Sequence, residues 1–308
     1  LLFFFYLLLP FGEIKQHMSL YSALFSFIIR TLELIPYTVL FKIGKLVSYF
    51  LYVLPNKHKK ISNANLKQVF PGLKETELKK LLKLSLFHSL MNLLESGLVW
   101  GNKIYMKKID FIEIENIEAL DNSLNSNKGV LLFTPHLGNI EILINFLGSK
   151  FNCTIPYTPP KNKSLEGIVT RSRNKAGVNM VNTDSKGIKE ILLKLKDKKI
   201  VAIASDQVPK TGAGVYSKFF GNEIYSMSLL PKLQKNTGCI VHLMYCKRKE
   251  NGDGFVICFD DPIDLSGDIQ KGVDNMNNEF EKCIMKVPEQ YSWEYKKFKK
   301  TKLKSIYN

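Results

Sequence analysis

The chain has 308 residues, with 44 Lys+Arg against 28 Asp+Glu for a formal net charge of +16, and is 45% hydrophobic and 23% charged. That composition is ordinary for a globular protein and excludes a disordered chain. No run of about 18 uncharged apolar residues argues for a polytopic membrane protein. Five cysteines leave one over after pairing, so they make no disulfide framework and suit a reducing compartment. The positive balance asks for an anionic partner: nucleic acid, a membrane surface or a phosphate-bearing substrate.

In chain order, the first feature is the apolar run Leu1 to Leu9, under half of the roughly 20 residues a helix needs to cross a bilayer. It lacks the leading basic residues and small-residue cleavage site of a signal peptide. From Leu20 to Leu54 the sequence is rich in Leu, Phe, Ile and Tyr but carries Arg30, Glu33, Lys42 and Lys45, and Pro36 and Pro55 divide it. Its three cations can snorkel from helices lying in a membrane interface. Residues 1–60 are therefore expected to form a membrane-associating segment, monotopic or with one short N-terminal anchor. Lys57, His58, Lys59 and Lys60 follow at once, placed to attract anionic lipid head groups. Residues 61–308 are expected to form the main domain, beginning with a helical lead-in over 61–108. There, Pro71-Gly72 precedes a helix from Glu75 to Trp100 that is apolar on most sides, as in a helix buried between neighbours. His88 on it reads as a satisfied core histidine. Glu95 is a carboxylate in an apolar setting and demands a partner or a cleft.

From Phe111 strands and helices alternate. Phe111–Glu115 reads as a half-exposed strand, and Gly129–Thr134 and Ile200–Ala204 as strands buried on both faces. Further strands are predicted at Val178–Asn182, Cys239–Cys246 and Phe255–Phe259. Helices are predicted at Asn139–Leu147, Ser185–Lys196 and Asp268–Val287, with a basic C-terminal helix over 288–308. The pattern predicts an α/β fold with a mostly parallel central sheet and helices on both faces. Its site should lie beyond the carboxyl ends of the strands.

That rule points to Pro135-His136-Leu137-Gly138-Asn139-Ile140-Glu141. His136 follows a buried strand, and Glu141 falls in the first turn of the next helix. Across the turn at Gly138 the imidazole and carboxylate can fold back on one another, the carboxylate fixing the tautomer while the other nitrogen takes a proton. With no Ser or Cys nucleophile beside them, the pair suits a reaction whose nucleophile is a substrate hydroxyl. The helix start also offers backbone N–H groups to an anion. Cys239, His242 and Cys246 have superficial metal spacing, but Cys239 and His242, an odd number of residues apart in a strand, face opposite sides, so no metal site is expected. The basic tail lacks a recognised nucleic-acid motif, and Trp293, Tyr295 and Phe298 beside it suit a membrane interface.

The His136–Glu141 segment resembles the H-x4-D/E motif of glycerolipid-type acyltransferases, and the wider chain resembles the late lipid A biosynthesis acyltransferases. The resemblance runs in order through Asn65-Leu66, Phe70-Pro71, Leu94-Glu95, His136 to Glu141, Pro159-Pro160-Lys161-Asn162 and Arg173. It continues through Asp206-Gln207, Phe219-Phe220-Gly221, Pro288 to Tyr291, Trp293 and Lys297-Phe298-Lys299. Departures stand at Thr158, where the family often has Arg, and at Leu243, where it often has Pro.

The resemblance implies a cytoplasmic-face inner-membrane enzyme that moves a fatty acyl group from acyl carrier protein, or from coenzyme A, to a hydroxyl of a lipid A precursor. It needs no cofactor. His136 would be the base and Glu141 its partner. Arg173 would meet a phosphate or the developing oxyanion, and Gly138, Asn139, Asp206 and Gln207 would bind substrate. Another glycolipid or a glycerophospholipid as acceptor is an alternative. So is a non-enzymatic protein that binds membranes through its basic face.

Overall fold

The computed structural model describes residues 27–32, 34–101, 112–160, 162–301 and 305–307. The apolar opening run, Glu33, Phe111, Lys161, Lys302 and Lys304 lie outside the described residues. Among the described residues, no single helix is long and apolar enough to cross a membrane. The lead-in includes the helices α1 (Tyr37–Val53), α2 (Lys57–Val69) and α3 (Glu75–Gly101). Asn56 caps α2 by accepting from the Lys59 N–H, and α3 runs on for 27 residues through its apolar sequence.

The sheet domain follows as β1 (Ile112–Glu115), α4 (Ile117–Leu124), β2 (Val130–Thr134), α5 (Ile140–Lys150), β3 (Cys153–Tyr157), α6 (Lys163–Lys175), β4 (Asn179–Asn182), α7 (Ser185–Lys196) and β5 (Ile200–Ala204). Then come β6 (Gly214–Phe219), β7 (Asn222–Met227), α8 (Leu229–Thr237), β8 (Ile240–Arg248), β9 (Phe255–Phe259) and α9 (Ile269–Lys286). Seven strands form one sheet in the order β1-β9-β8-β2-β5-β3-β4, while β6 and β7 make a separate hairpin. All pairings in the large sheet are parallel except β8 with β9.

The two-residue period of a strand sorts the core onto two faces. Leu131, Phe133, Val201, Ile203, Val241 and Leu243 pack against α7, α8 and α9. Val130, Leu132, Ile200, Ala202 and Met244 pack on the other face against α1 and α5. Helices thus cover both faces, as the alternation in the sequence predicts. The long helix α3 serves both layers, giving Leu78, Leu82 and Leu86 to the first and Phe87, Met91 and Leu98 to the second.

The predicted C-terminal helix is not found over the described residues. Pro288–Gln290 form one 3₁₀ turn, and the chain then runs irregularly across the mouth of the sheet. Its backbone groups are committed there: Ser292 N–H donates to the His136 carbonyl and Gly138 N–H to that of Gln290. His242 gives its ring nitrogens to Ser123 and the Asp260 carbonyl, each at 2.8 Å, and all five cysteines are buried and unpaired.

Candidate active site

Strands β2 and β5 are parallel neighbours with Thr134 opposite Ala204. Two residues beyond each of those ends stand His136 and Asp206, so the register alone brings them together. The His136 Nδ1–H donates to Asp206 Oδ1 at 2.6 Å, and the His136 backbone N–H donates to Oδ2 at 3.1 Å. Because an ionised carboxylate only accepts, Nδ1 carries a proton, and in the neutral ring Nε2 holds the lone pair. The Gln207 amide donates to that nitrogen at 3.2 Å. The imidazole side chain is 26% exposed against 3% for Asp206, so the ring presents one nitrogen outward while its partner stays dry.

Asp206 is held from two further directions. The Tyr291 hydroxyl donates to Oδ2 at 3.0 Å, and the buried Lys297 ammonium donates to its carbonyl. Burial pushes the Asp206 carboxyl up, but the imidazole charge, the His136 hydrogen bonds and Lys297 outweigh it and hold the group well below the usual carboxylate range. Burial pushes the Lys297 ammonium down to about 8 although Asp206 pulls it back.

Glu141 does not meet His136. It lies on the first turn of α5, which aims it at the last turn of α6, and both its oxygens are taken by Arg173: Nε at 3.3 Å and Nη2 at 2.5 Å. Both side chains are nearly buried, and the guanidinium lies 4.9 Å from the centre of the Tyr157 ring. Burial works against the Arg173 cation, yet Glu141 raises its pKa further above the ordinary value. The expected imidazole–Glu141 contact is therefore corrected to an imidazole–Asp206 contact beside a Glu141–Arg173 ion pair. Arg171 is exposed.

Gly138 and Asn139 support the site rather than line it. Gly138 has φ +60°, and a Cβ there would stand 1.7 Å from the Cys246 carbonyl oxygen, so the close crossing over β8 needs glycine. Asn139 is fully buried and caps α5, its Oδ1 accepting from Glu141 N–H at 3.0 Å and Ile142 N–H at 3.2 Å. Its Nδ2 donates to Glu95 at 2.9 Å. With the N–H groups of Gly138 and Asn139 also committed to carbonyls, four of the donors expected to receive an anion are already used.

Behind this turn lies a buried polar network. Arg248, 2% exposed, donates to both oxygens of Glu95, to Asn92 Oδ1 at 2.7 Å and to His88 Nδ1 at 2.6 Å. Tyr37 donates to Glu95 at 2.6 Å. Glu95 thus has the partner its apolar surroundings demand. Arg248 itself has no local signal in the sequence, since it ends a strand whose partners come from distant helices. Phe219 is fully buried beside Tyr291 and Phe298 and belongs to the core.

On its outer side α1 exposes Val39, Ile43, Leu46, Val47, Phe50 and Val53, each at least 40% accessible. Their spacing places them on one face, opposite Leu40, Phe41 and Gly44, which pack inward. Lys45 and Lys59 sit over the rings of Phe41 and Tyr52. Such an uncovered apolar face flanked by lysines is unusual for a freely soluble surface.

The sequence profile of the bacterial lipid A biosynthesis acyltransferases matches residues 13–300. The lipid A biosynthesis lauroyltransferase of Escherichia coli (strain K12) is 24% identical over 273 residues, covering 86% of this chain and 87% of that relative. The lipid A biosynthesis palmitoleoyltransferase of the same organism is 24% identical over 269 residues, 86% of each chain. A lipid A biosynthesis acyltransferase of Haemophilus influenzae is 25% identical over 281 residues, 88% of this chain and 87% of the relative.

Proposed function

The chain belongs to the bacterial lipid A biosynthesis acyltransferase family, and from that premise we propose that it carries a fatty acyl group from an acyl carrier protein thioester to a hydroxyl of a lipid A precursor. The observation that carries the mechanism is the His136 imidazole, anchored through Nδ1 on buried Asp206 and presenting Nε2 on its partly exposed side.

A hydroxyl must lose its proton as it attacks a thioester carbon. His136 Nε2 takes that proton, and Asp206 steadies the imidazolium that forms, an arrangement worth about 10²–10⁴-fold. The Gln207 amide leaves Nε2 when the acceptor arrives and is placed to bind the acceptor or the developing oxyanion. Collapse of the tetrahedral intermediate breaks the C–S bond and completes the ester C–O bond. The departing thiolate takes the proton from His136, which restores the base. Transfer is direct, because burial pushes the cysteine thiols up, to about 12 for Cys153 and Cys258, leaving none as an activated nucleophile. The Glu141–Arg173 pair supplies fixed charge at the rim that positions the polar acceptor. The outward face of α1, with Lys57, Lys59 and Lys60 at the start of α2, seats the enzyme on the cytoplasmic face of the inner membrane.

Mass spectrometry of lipids from cells lacking the protein tests this reading. Lipid A should be short of one acyl chain, restored by the wild-type gene and not by His136→Ala. Intact lipid A with an altered glycerophospholipid would move the acceptor, and unchanged lipids would reject the reading.

A further inference from the structure

Lys297 is a lysine where a soluble core would place an apolar side chain. It is 3% exposed, its ammonium lies 4.7 Å from the centre of the Phe219 ring, and it donates to the Asp206 carbonyl. Among the described residues no carboxylate lies within ion-pair distance of it, although the Asp206 charge acts on it. Retaining a desolvated cation without an ion pair is costly. Its neighbour in space, Tyr291, donates to the carboxylate of the same Asp206. Both come from the irregular C-terminal segment, whose Leu137–Tyr291 bridge and Ser292-to-His136 hydrogen bond tie it to the turn carrying the imidazole.

We propose that Lys297, together with Tyr291, is a positioning residue for the His136 base: it holds Asp206 as an aligned anion and sets the pH at which the imidazole is free to accept a proton. The inference rests on the reading of His136 as the base. A positive charge behind Asp206 opposes a second positive charge on the ring, so removing it should ease protonation of the imidazole. Tyr291 acts in the same direction by withdrawing electron density from Asp206 Oδ2. The other titratable groups near this cluster are Tyr295 and Cys283. Burial raises Tyr291 and Cys283 and keeps them neutral, and Lys297 is the lysine whose charge acts on Asp206.

The test compares full-length wild type, Lys297→Gln, Lys297→Arg, Tyr291→Phe and His136→Ala by pH–rate profile and by NMR titration of the histidine rings. In Lys297→Gln the acid limb and the ring titration assigned by loss in His136→Ala should both move up by about one pH unit. Lys297→Arg should restore the wild-type midpoint, and Tyr291→Phe, which leaves no buried charge unpaired should the glutamine variant fail to fold, should move it up by about half a unit. Unmoved midpoints in the folded variants, with His136→Ala inactive, would overturn this inference alone. Full activity in His136→Ala would instead remove the reading beneath it.

Discussion

Replacing Arg248 by Met removes the only cation that bonds to Glu95 among the described residues. The carboxylate keeps two donors, the Tyr37 hydroxyl at 2.6 Å and the Asn139 amide at 2.9 Å, but loses both guanidinium contacts while staying 1% exposed. Breaking a buried ion pair from one side costs about 3–5 kcal/mol, because an uncompensated charge remains. Against a total stability of about 5–15 kcal/mol, that is a large share. Neutralising Glu95 as well, in Glu95→Gln/Arg248→Met, keeps an amide oxygen for Tyr37 and Asn139 and leaves no buried charge. The double variant should therefore lie within about 2 kcal/mol of wild type, a coupling well outside additivity. Urea unfolding in a fixed detergent, followed by the fluorescence of Trp100 and Trp293, measures all four proteins. A loss below about 1 kcal/mol in Arg248→Met, or additive single effects, would refute the argument.

Three further outcomes are expected. Glu141→Gln, which leaves Arg173 buried without its counter-charge, should slow transfer about 10–100-fold without moving the acid limb of the rate profile, because Asp206 meets the ring; a shifted limb would return the partner role to Glu141. Burial and Arg248 lower the His88 pKa, so between pH 7 and 5 the unfolded chain binds a proton that the folded chain refuses, and stability falls with pH. His58 and His242 are lowered too; the slope of Tm against pH should flatten in part in His88→Gln, which keeps an acceptor for Arg248. Leu46→Glu with Phe50→Glu should weaken vesicle binding more than 100-fold at unchanged Tm, since burying each apolar side chain in a membrane is worth about 1.5–3 kcal/mol. Undiminished sedimentation with vesicles would remove α1 from the interface.

Much of this architecture can be read from local sequence. The buried strands β2, β5 and β9 are continuous apolar runs, and Asp184 and Asp268 cap α7 and α9 where the helical pattern starts. Strand β3 is hidden because Pro156 interrupts it, and the β6–β7 hairpin because its half-exposed residues alternate weakly. His136 is legible from its place past a strand end. Its carboxylate partner is 70 residues away, and local spacing favours the nearer Glu141. The usable signal was symmetry: Asp206 follows Ala204 by the same two residues that separate His136 from Thr134. Lys297 was legible only as part of the Lys297-Phe298-Lys299 resemblance and Arg248 only as a basic residue, since their burial depends on segments that meet through the fold.

The most direct test of the account is the rate of acyl transfer from acyl carrier protein to a lipid A precursor by purified His136→Ala, with wild-type unfolding and vesicle binding checked in parallel. The account predicts a loss of about 10²–10⁴-fold in a folded, membrane-bound protein. A rate equal to wild type would contradict it.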